Sequence, residues 1–421
     1  MTISKVHVIG AGLSGLCAAV ALSKAGVAVE VSEAAAQAGG RCRSYFDPQL
    51  GATIDNGNHF VFSGNQAVKR YLAEIGSLDL LVGPEHADYP FLDLTTGERW
   101  TLRPNDGPIA WWVGSKARRV PGTRVKDYLA LINLLRAKPG DRVCDLIPTT
   151  GPLWTRLIEP MLVGALNTEA ASCSALLAAA VMRETLARGG HAYKPRSAKP
   201  TLGAAFVDPA LTHLERHGAA VRFGRRLRGL AFEDGRVRTL HFADGDVAVA
   251  ADHAVVLAVP AWVALDLVPQ LTAPVVHSSI VNCHFERPGP KDAPLMQGVL
   301  HGVAQWVFGF TDRISTTTSG ADAIIDTDRT ELATALWADV VRAYALPADA
   351  PMPAWQIVKE KRATFAATPE QDALRPPAAT AWRNLILAGD WIQTGLPATI
   401  EGSLRSGYKA AGLALAAPPV V

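Results

Sequence analysis

The sequence predicts an α/β protein with two domains, one of which is assembled from three separated stretches of the chain. Its 421 residues exceed a typical single domain of ~150 residues. Hydrophobic residues make up 49% of the chain and charged residues 19%, so the chain can bury a large core. Short apolar runs, glycine turns and helical segments alternate at the beginning, in the middle and at the end of the sequence. This is the pattern of a parallel sheet covered by helices.

The N-terminal element has the pattern of a strand, a glycine turn, a helix and a second strand. An apolar strand is predicted over Lys5 to Ile9, an Ala-rich helix ends at about Lys24, and the second strand covers Val27 to Val31. The turn reads Gly10-Ala11-Gly12-Leu13-Ser14-Gly15. Glycines at this spacing let a pyrophosphate approach the backbone and the N–H groups at the start of the helix. The element therefore predicts a dinucleotide-binding unit, and Glu33 after the second strand supplies a carboxylate for ribose hydroxyls.

Two later elements are predicted to extend the same sheet. Short strands with turns at Glu233-Asp234-Gly235 and Ala243-Asp244-Gly245 occupy Ala219 to Val259. Near the C-terminus an apolar strand at Asn384 to Ala388 precedes a helix from about Ile400 to Leu415.

The stretches between these elements carry most of the tryptophans and prolines, and we expect them to form a second domain. The cofactor-binding domain is assigned to residues 1–75, 201–274 and 381–421, and an inserted α+β substrate-binding domain to residues 76–200 and 275–380.

The segment after Glu33 carries a resemblance to a known superfamily. Gly39-Gly40-Arg41 lets the chain pass close to a ligand and offers a guanidinium to phosphates. Together with Ala388-Gly389-Asp390 and Thr399-Ile400-Glu401-Gly402, it resembles the FAD-dependent amine oxidase and phytoene desaturase superfamily. The resemblance spans essentially the whole chain. It implies a Rossmann-like, glutathione-reductase-like domain that holds FAD noncovalently.

A finer resemblance is to one branch of this superfamily. Asp55-Asn56-Gly57-x-His59, the run Val358 to Phe365, and the run Gly389 to Gly402 are similar to the squalene-associated FAD-dependent desaturases, the hydroxysqualene dehydroxylases. Members usually carry Gln where this sequence has Asn58, and an aromatic residue a few positions beyond the histidine. The resemblance implies reductive removal of the hydroxyl of hydroxysqualene to give squalene, in bacterial squalene and hopanoid biosynthesis. Reduced FAD is the expected hydride source, and no metal is needed.

The resemblance also implies which residues contact FAD. The helix that follows Pro397 is expected to direct its N–H groups and its positive dipole end at the pyrimidine end of the flavin, where they stabilise the reduced anionic form. The predicted cofactor-binding residues are Gly10, Gly12, Leu13, Ser14, Gly15, Glu33, Ala34, Gly40, Arg41, Arg43, Gly57, Asn58, Leu227, Gly389, Asp390, Thr399, Ile400 and Glu401.

The catalytic candidates are His59 and Asp55. Histidine can be protonated near neutral pH, and His59 follows an element that passes near the flavin in the superfamily, so we expect it to protonate the leaving hydroxyl. Asp55 is expected to orient His59 or the backbone. A structural histidine is the alternative. Lys359 and Lys361 are further candidates, because the amine oxidases place a lysine near the flavin. The alternative is that this charged run forms a solvated strand edge. Cys17 and Cys42 are expected to be buried residues without a redox role.

Residues 108–138 are the candidate membrane-docking segment. Trp111 and Trp112 precede Lys116, Arg118, Arg119, Arg124, Lys126, Arg136 and Lys138, with Asp127 as the single acid between 111 and 138. Tryptophan prefers the headgroup level, and lysine and arginine prefer anionic lipid, although a core segment followed by a solvated basic helix has the same pattern. We expect a cytoplasmic protein that is peripheral on the inner face of the cell membrane.

The partners follow from charge and from the resemblance. A formal net charge of +2 does not favour nucleic-acid binding, so the expected partners are a hydrophobic isoprenoid substrate and a membrane surface. Upstream enzymes of the squalene pathway are candidate partners, and the electron donor is left open. A carotenoid desaturase or flavin amine oxidase is the alternative within the superfamily, and a prenyl-chain-binding escort protein is the alternative outside enzymes.

Overall fold

The computed structural model describes residues 3–416; residues 1–2 and 417–421, at the outer ends of the predicted cofactor domain, lie outside the described residues. A five-stranded parallel sheet forms the centre of one layer. All three predicted stretches of the cofactor domain contribute strands to it, while the domain boundaries stay predictions. In spatial order the strands are Ala220–Arg222, Ala28–Ser32, Lys5–Ile9, His253–Leu257 and Leu385–Leu387.

The predicted N-terminal element is confirmed. The strand Lys5–Ile9 and the helix Leu13–Lys24 have the predicted bounds, and the second strand begins one residue later, at Ala28. Val6 and Val8 are fully buried, as expected of a parallel strand covered on both faces. The C-terminal helix Ile400–Ala416 packs against the helix Leu13–Lys24, so the two ends of the chain form one layer.

A three-stranded antiparallel sheet follows the predicted turns in the middle of the chain. Asp234 and Gly235 adopt φ of 50° and 69°, and Gly245 adopts a φ of 126°, which are the left-handed conformations that such turns favour. Its strands are Leu227–Glu233, Arg236–Phe242 and Gly245–Ala248.

A seven-stranded mixed sheet occupies the two intervening stretches of the chain. The helix Arg329–Ala343 covers one face, where Trp337 packs on Phe285 with ring centroids 5.1 Å apart. Asp328 caps this helix by accepting from the N–H groups of Thr330 and Glu331. In order, the strands are Trp355–Phe365, His277–Phe285, Ile314–Ser319, Trp306–Gly309, Met296–Leu300, Tyr89–Asp93 and Arg99–Leu102.

The remaining elements are short strands and helices around these sheets. The strands are Ser44–Asp47 with Ala52–Asp55, and Val61–Phe62 and Leu81–Val82, which both pair with Pro195–Ala198. The α-helices are Gln66–Ile75, Val125–Leu129, Leu131–Leu134, Val143–Leu146, Glu159–Leu166, Ala175–Glu184, Asp208–Arg216, Ala261–Leu267 and Pro369–Ala373, and π-helical turns occupy Trp154–Ile158 and Gly203–Val207. Short 3₁₀ turns occupy Gly40–Cys42, Leu78–Leu80, Trp111–Gly114, Ala170–Ser172, Gly190–Ala192 and Ala321–Ala323.

The two adjacent tryptophans of residues 108–138 face opposite ways. Trp111 is 57% exposed, whereas Trp112 is 4% exposed and packs edge-on against Tyr128. Trp111 is therefore the accessible tryptophan of the candidate membrane-docking segment, because a short 3₁₀ turn at Trp111–Gly114 directs neighbouring side chains to different sides. Between residues 3 and 416, no helix combines the length and apolar character needed to cross a bilayer.

Candidate active site

The glycine turn is shaped by two close backbone contacts and one open position. A Cβ at Gly10 would lie 2.4 Å from the carbonyl oxygen of Ala258, and one at Gly15 would lie 1.9 Å from the carbonyl oxygen of Gly10. Both glycines are therefore required by the protein itself. A Cβ at Gly12 would meet no described atom within 4 Å, so the space above this residue is open to a ligand.

The helix that begins at Leu13 directs its free N–H groups toward the same space. Gly12 caps it with extended backbone, and none of the described side chains bonds to its first N–H groups. The side chain of Ser14 points backward and meets the hydroxyl of Ser406 at 3.2 Å. Ser406 also accepts from the Gly389 N–H at 2.9 Å, which ties the C-terminal turn to this helix.

The paired-glycine loop lies directly against the glycine turn. The Gly39 N–H donates to the Ala11 carbonyl at 2.8 Å, and a Cβ at Gly40 would be 3.4 Å from the Cα of Gly12. Arg43 donates back to the Gly40 carbonyl at 2.9 Å. The loop thus places its arginines beside the predicted phosphate site.

Arg41 joins the N-terminal and the C-terminal cofactor motifs. Its Nη2 lies 2.7 Å from the Oδ2 of Asp390, and its Nη1 donates to the Ala363 carbonyl at 2.5 Å. The Asp390 side chain is 7% exposed. This carboxylate raises the pKa of Arg41 above its ordinary value against the opposing effect of burial, so the guanidinium is charged.

Glu33 lies where a ribose-binding carboxylate was predicted. Its two oxygens accept from the N–H groups of Ala11 at 2.7 Å and Ala35 at 2.8 Å, and each keeps a lone pair for a further donor. Ala34 is exposed beside it. The Arg225 N–H donates to the Glu33 carbonyl, which brings the buried Leu227 at the start of the next strand toward this end of the sheet.

The residues present fit FAD. The Arg41 side chain is 41% exposed although it pairs with Asp390, and His59 is half-buried, so both side chains keep surface that a ligand can reach. A charged guanidinium, open backbone at Gly12 and free helix N–H groups are the donors that a pyrophosphate requires. They would hold the phosphates between the two ends of the chain.

The first turn of the C-terminal helix leaves two N–H groups available. The Thr399 hydroxyl accepts from the Gly402 N–H at 3.0 Å, whereas no protein group among residues 3–416 accepts from the N–H groups of Ile400 and Glu401. The predicted backbone contacts of Thr399, Ile400 and Glu401 with the flavin remain predictions that this arrangement permits.

The Glu401 side chain has a different role. It is 3% exposed, and its oxygens accept from the Ala67 and Val68 N–H groups at 3.1 and 3.0 Å, which caps the helix Gln66–Ile75. Arg405 donates to it at 2.8 Å. Only the backbone of Glu401 is thus available to a cofactor.

Replacement of Glu401 by alanine should destabilise the protein. It removes two charge-assisted caps and leaves buried N–H groups without acceptors, which costs about 2–4 kcal/mol. Thermal melting of the apoprotein would measure the loss. Asp326→Ala, which removes a carboxylate that is 82% exposed, is the matched control and should not shift the melting temperature measurably. An equal shift in the two variants would contradict the capping role.

Asp55 is a buried anchor for the loop that carries His59. Its Oδ1 accepts from the Ser44 hydroxyl at 2.6 Å and the Leu202 N–H at 2.9 Å, and Arg313 lies 3.6 Å from its Oδ2. Burial raises the pKa of Asp55, while these donors oppose the increase. Among the described hydrogen bonds Asp55 has none to His59, so it orients the backbone rather than the imidazole.

A polar network that the sequence did not reveal holds the same loop. Asn58 donates to the Thr316 carbonyl at 3.2 Å and the Thr317 hydroxyl at 3.1 Å, and Thr317 donates to Asn282 at 2.7 Å. A Cβ at Gly57 would lie 3.3 Å from both Asn282 and His59. The signal available in the sequence is the buried polar run Ser315 to Ser319 within an otherwise apolar sheet.

His59 is neutral at pH 7 in this arrangement. Burial, with a contribution from the positive charge of Arg41, lowers its pKa from 6.5 to about 4. Phe60, the next residue, stacks on Phe308 with centroids 5.1 Å apart, and Phe310 follows at 6.3 Å. The residue that follows the neutral imidazole in the chain therefore belongs to an aromatic wall that consists of Phe60, Phe308 and Phe310.

The two candidate lysines pair with a surface loop. Lys359 donates to the Thr327 carbonyl at 2.5 Å, and Lys361, which is 67% exposed, pairs with Asp326 at 2.8 Å. These contacts favour the solvated strand edge over a role at the flavin. Cys17 and Cys42 are buried, and burial raises the pKa of both thiols, that of Cys42 to about 12.

This combination of fold and site defines the class of the protein as an FAD-dependent oxidoreductase. The model of the flavin containing amine oxidoreductase family matches residues 13–415. Hydroxysqualene dehydroxylase of Zymomonas mobilis is 47% identical over 98% of this chain and 99% of its own length. That of Rhodopseudomonas palustris is 49% identical over 98% of each chain. The chain therefore belongs to the flavin containing amine oxidoreductase family, and within it to the group of the hydroxysqualene dehydroxylases.

A solved structure shows the same fold at low sequence identity. Cyclohexylamine oxidase from Brevibacterium oxydans superposes with a TM-score of 0.71 at 16% identity and covers 98% of this chain and 99% of its own. The predicted fold class, the predicted family and the flavin cofactor are thereby confirmed.

Proposed function

We propose that the protein removes the hydroxyl of hydroxysqualene reductively to give squalene. The observation that carries the proposal is the identity of nearly one half, over nearly full length, to two hydroxysqualene dehydroxylases. In the balanced step the carbon–oxygen bond breaks, the oxygen leaves as water with one added proton, and a hydride takes its place. When bound, reduced FAD supplies that hydride.

The residues of this chain divide into three roles. Arg41, Glu33 and the N–H groups after Gly12 hold the cofactor. His59 delivers the proton that the leaving hydroxyl requires through its protonated form, which is a small fraction at pH 7 because its pKa is about 4. Asp55 is a positioning residue for the loop that carries His59. We assign to the aromatic wall of Phe60, Phe308 and Phe310 the exclusion of water and the stabilisation of the positive charge that develops on the allylic carbon.

Replacement of His59 by alanine should leave FAD bound and slow a single turnover by roughly 100-fold, the usual scale of acid catalysis. His217→Ala, at an exposed position remote from the loop, is the control. Because the pKa of His59 is about 4, its protonated fraction falls tenfold per pH unit above that value, so the wild-type rate should fall with the same slope between about pH 5 and pH 8. A flat profile, or an unchanged His59→Ala rate, would exclude His59 as the acid.

An anaerobic reaction tests the function as a whole. The purified protein is reduced with dithionite, hydroxysqualene is added, and the oxidised flavin absorbance is followed while products are extracted. We expect reoxidation with one squalene per flavin. If hydroxysqualene leaves the flavin reduced, while a polyene or an amine bleaches the oxidised protein, an oxidative activity of the superfamily replaces this proposal.

The setting of the reaction is part of the same proposal. A triterpene alcohol is almost insoluble in water, so the enzyme gains by collecting it at a membrane surface on the cytoplasmic side. Enzymes that build the hydroxylated precursor from prenyl diphosphates act upstream.

A further inference from the structure

We infer that residues 109–138 form a docking surface for bilayers that contain anionic phospholipid. Six of the thirteen large exposed apolar side chains within residues 3–416 lie in this stretch of about thirty residues. A concentration of this kind marks an interaction surface, whereas scattered exposed residues do not. The six are Ile109, Trp111, Val125, Leu129, Ile132 and Leu135.

The helical part of the surface is amphipathic. Val125, Leu129 and Ile132 have the i, i+4, i+7 spacing of one helix face, and they are 46%, 60% and 47% exposed. Tyr128 and Leu134 point the other way and are buried. The turns Val125–Leu129 and Leu131–Leu134 are joined by Ala130 in helical conformation, so the outward face is continuous.

The surface is held in place by the protein beneath it. Buried Trp112 packs on Tyr128, whose hydroxyl accepts from the Val120 N–H at 3.1 Å. Asn105 donates to the Ile109 carbonyl at 3.0 Å, and Arg183 donates to the Leu135 carbonyl at 2.7 Å. The exposed apolar side chains therefore lie on an ordered scaffold, so binding to a membrane requires no additional folding of this segment.

The charge of this surface indicates what binds to it. Lys116, Arg124, Lys126, Arg136 and Lys138 are exposed around the apolar face, and Arg118 stacks on Trp111 at 4.7 Å. Asp127 is the single acid and is engaged with the Arg124 N–H. A second copy of this chain would bring two cationic faces together in a symmetric contact, which repels. An anionic headgroup layer satisfies both the cations and the apolar side chains.

The inference rests on the proposed function in one respect only, which is the reason for docking: it lets the enzyme collect an insoluble substrate. Vesicle flotation tests it without substrate. The holoprotein should float with phosphatidylcholine vesicles that contain 30% phosphatidylglycerol, and at least tenfold less with phosphatidylcholine alone or in 0.5 M NaCl. Trp111→Ser with Leu129→Ser should lower the bound fraction at least tenfold. Leu78→Ser with Leu415→Ser, which changes side chains 42% and 44% exposed elsewhere, should not.

The outcomes separate docking from catalysis. Turnover of hydroxysqualene in detergent micelles should be equal in the two double variants, because neither touches the site. Turnover of vesicle-borne substrate should fall only in the docking variant, Trp111→Ser with Leu129→Ser. The inference would be overturned if the docking variant and the wild type floated equally, or if binding did not depend on the charge of the lipid. Failure of the wild type to turn over substrate in micelles, with flotation intact, would overturn the proposed function instead.

Discussion

Replacement of Gly12 by valine is expected to give a folded protein that retains no flavin. Gly12 has a φ of −71° and a ψ of 174°, a conformation open to every residue, and a Cβ there meets no described atom within 4 Å. The Cβ itself is therefore accommodated, and we expect the protein alone to accept the side chain at about 1 kcal/mol for a poorer helix cap. The new methyl groups stand where the pyrophosphate approaches, so FAD affinity should fall by roughly 100-fold or more.

Two other glycines supply the controls. Gly412 is exposed on the C-terminal helix with open space around it, so Gly412→Ala should keep both the melting temperature and the yellow colour. Gly15→Ala should instead lower the stability of the apoprotein, because its Cβ would lie 1.9 Å from a backbone oxygen. Flavin content after gel filtration and melting of the apoprotein measure both quantities. A yellow Gly12→Val protein, or an unfolded one, would contradict the assignment.

The contrast among these glycines explains why the cofactor element could be predicted from sequence. A turn that needs small residues at fixed spacing, between an apolar strand and an Ala-rich helix, leaves a local trace, and the structure reproduces Lys5–Ile9 and Leu13–Lys24. The helix Ile400–Ala416 was predictable for the same reason. Local signals of this kind do not depend on how distant segments meet.

The features that escaped prediction depend on tertiary pairing. Asn58 is held by Thr317 because the strand order of the seven-stranded sheet brings residue 317 to that loop. The Glu401 carboxylate caps a helix more than three hundred residues away. Trp112 is buried beside the exposed Trp111 because it packs against Tyr128. No spacing in the sequence encodes these contacts, since each requires the finished fold.

Replacement of Arg41 by methionine should cause the largest combined loss of flavin and stability. It removes the only cation that pairs with the Asp390 carboxylate among the described ion pairs, and that carboxylate is 7% exposed. An unpaired buried charge costs about 3–5 kcal/mol; because Arg41 itself is 41% exposed and partly screened, we expect about 2 kcal/mol. The predicted phosphate site also loses its guanidinium, so the protein should purify without FAD.

The double variant Arg41→Met with Asp390→Leu separates the two effects. Because the unpaired carboxylate is then gone, an apolar pair of similar volume should recover most of the lost stability. Melting of the apoprotein measures this recovery, and the double-mutant cycle should give a coupling energy of roughly 1–2 kcal/mol. Flavin binding should not recover, because methionine and leucine offer no charge to phosphates or hydroxyls. If the double variant regains FAD, the Arg41–Asp390 pair only joins the two ends of the chain, and the phosphates are held by the glycine turn alone. If it regains neither stability nor flavin, the pair is not coupled in the folded protein, and the junction between the two motifs must rest on the contact of Ser406 with Ser14.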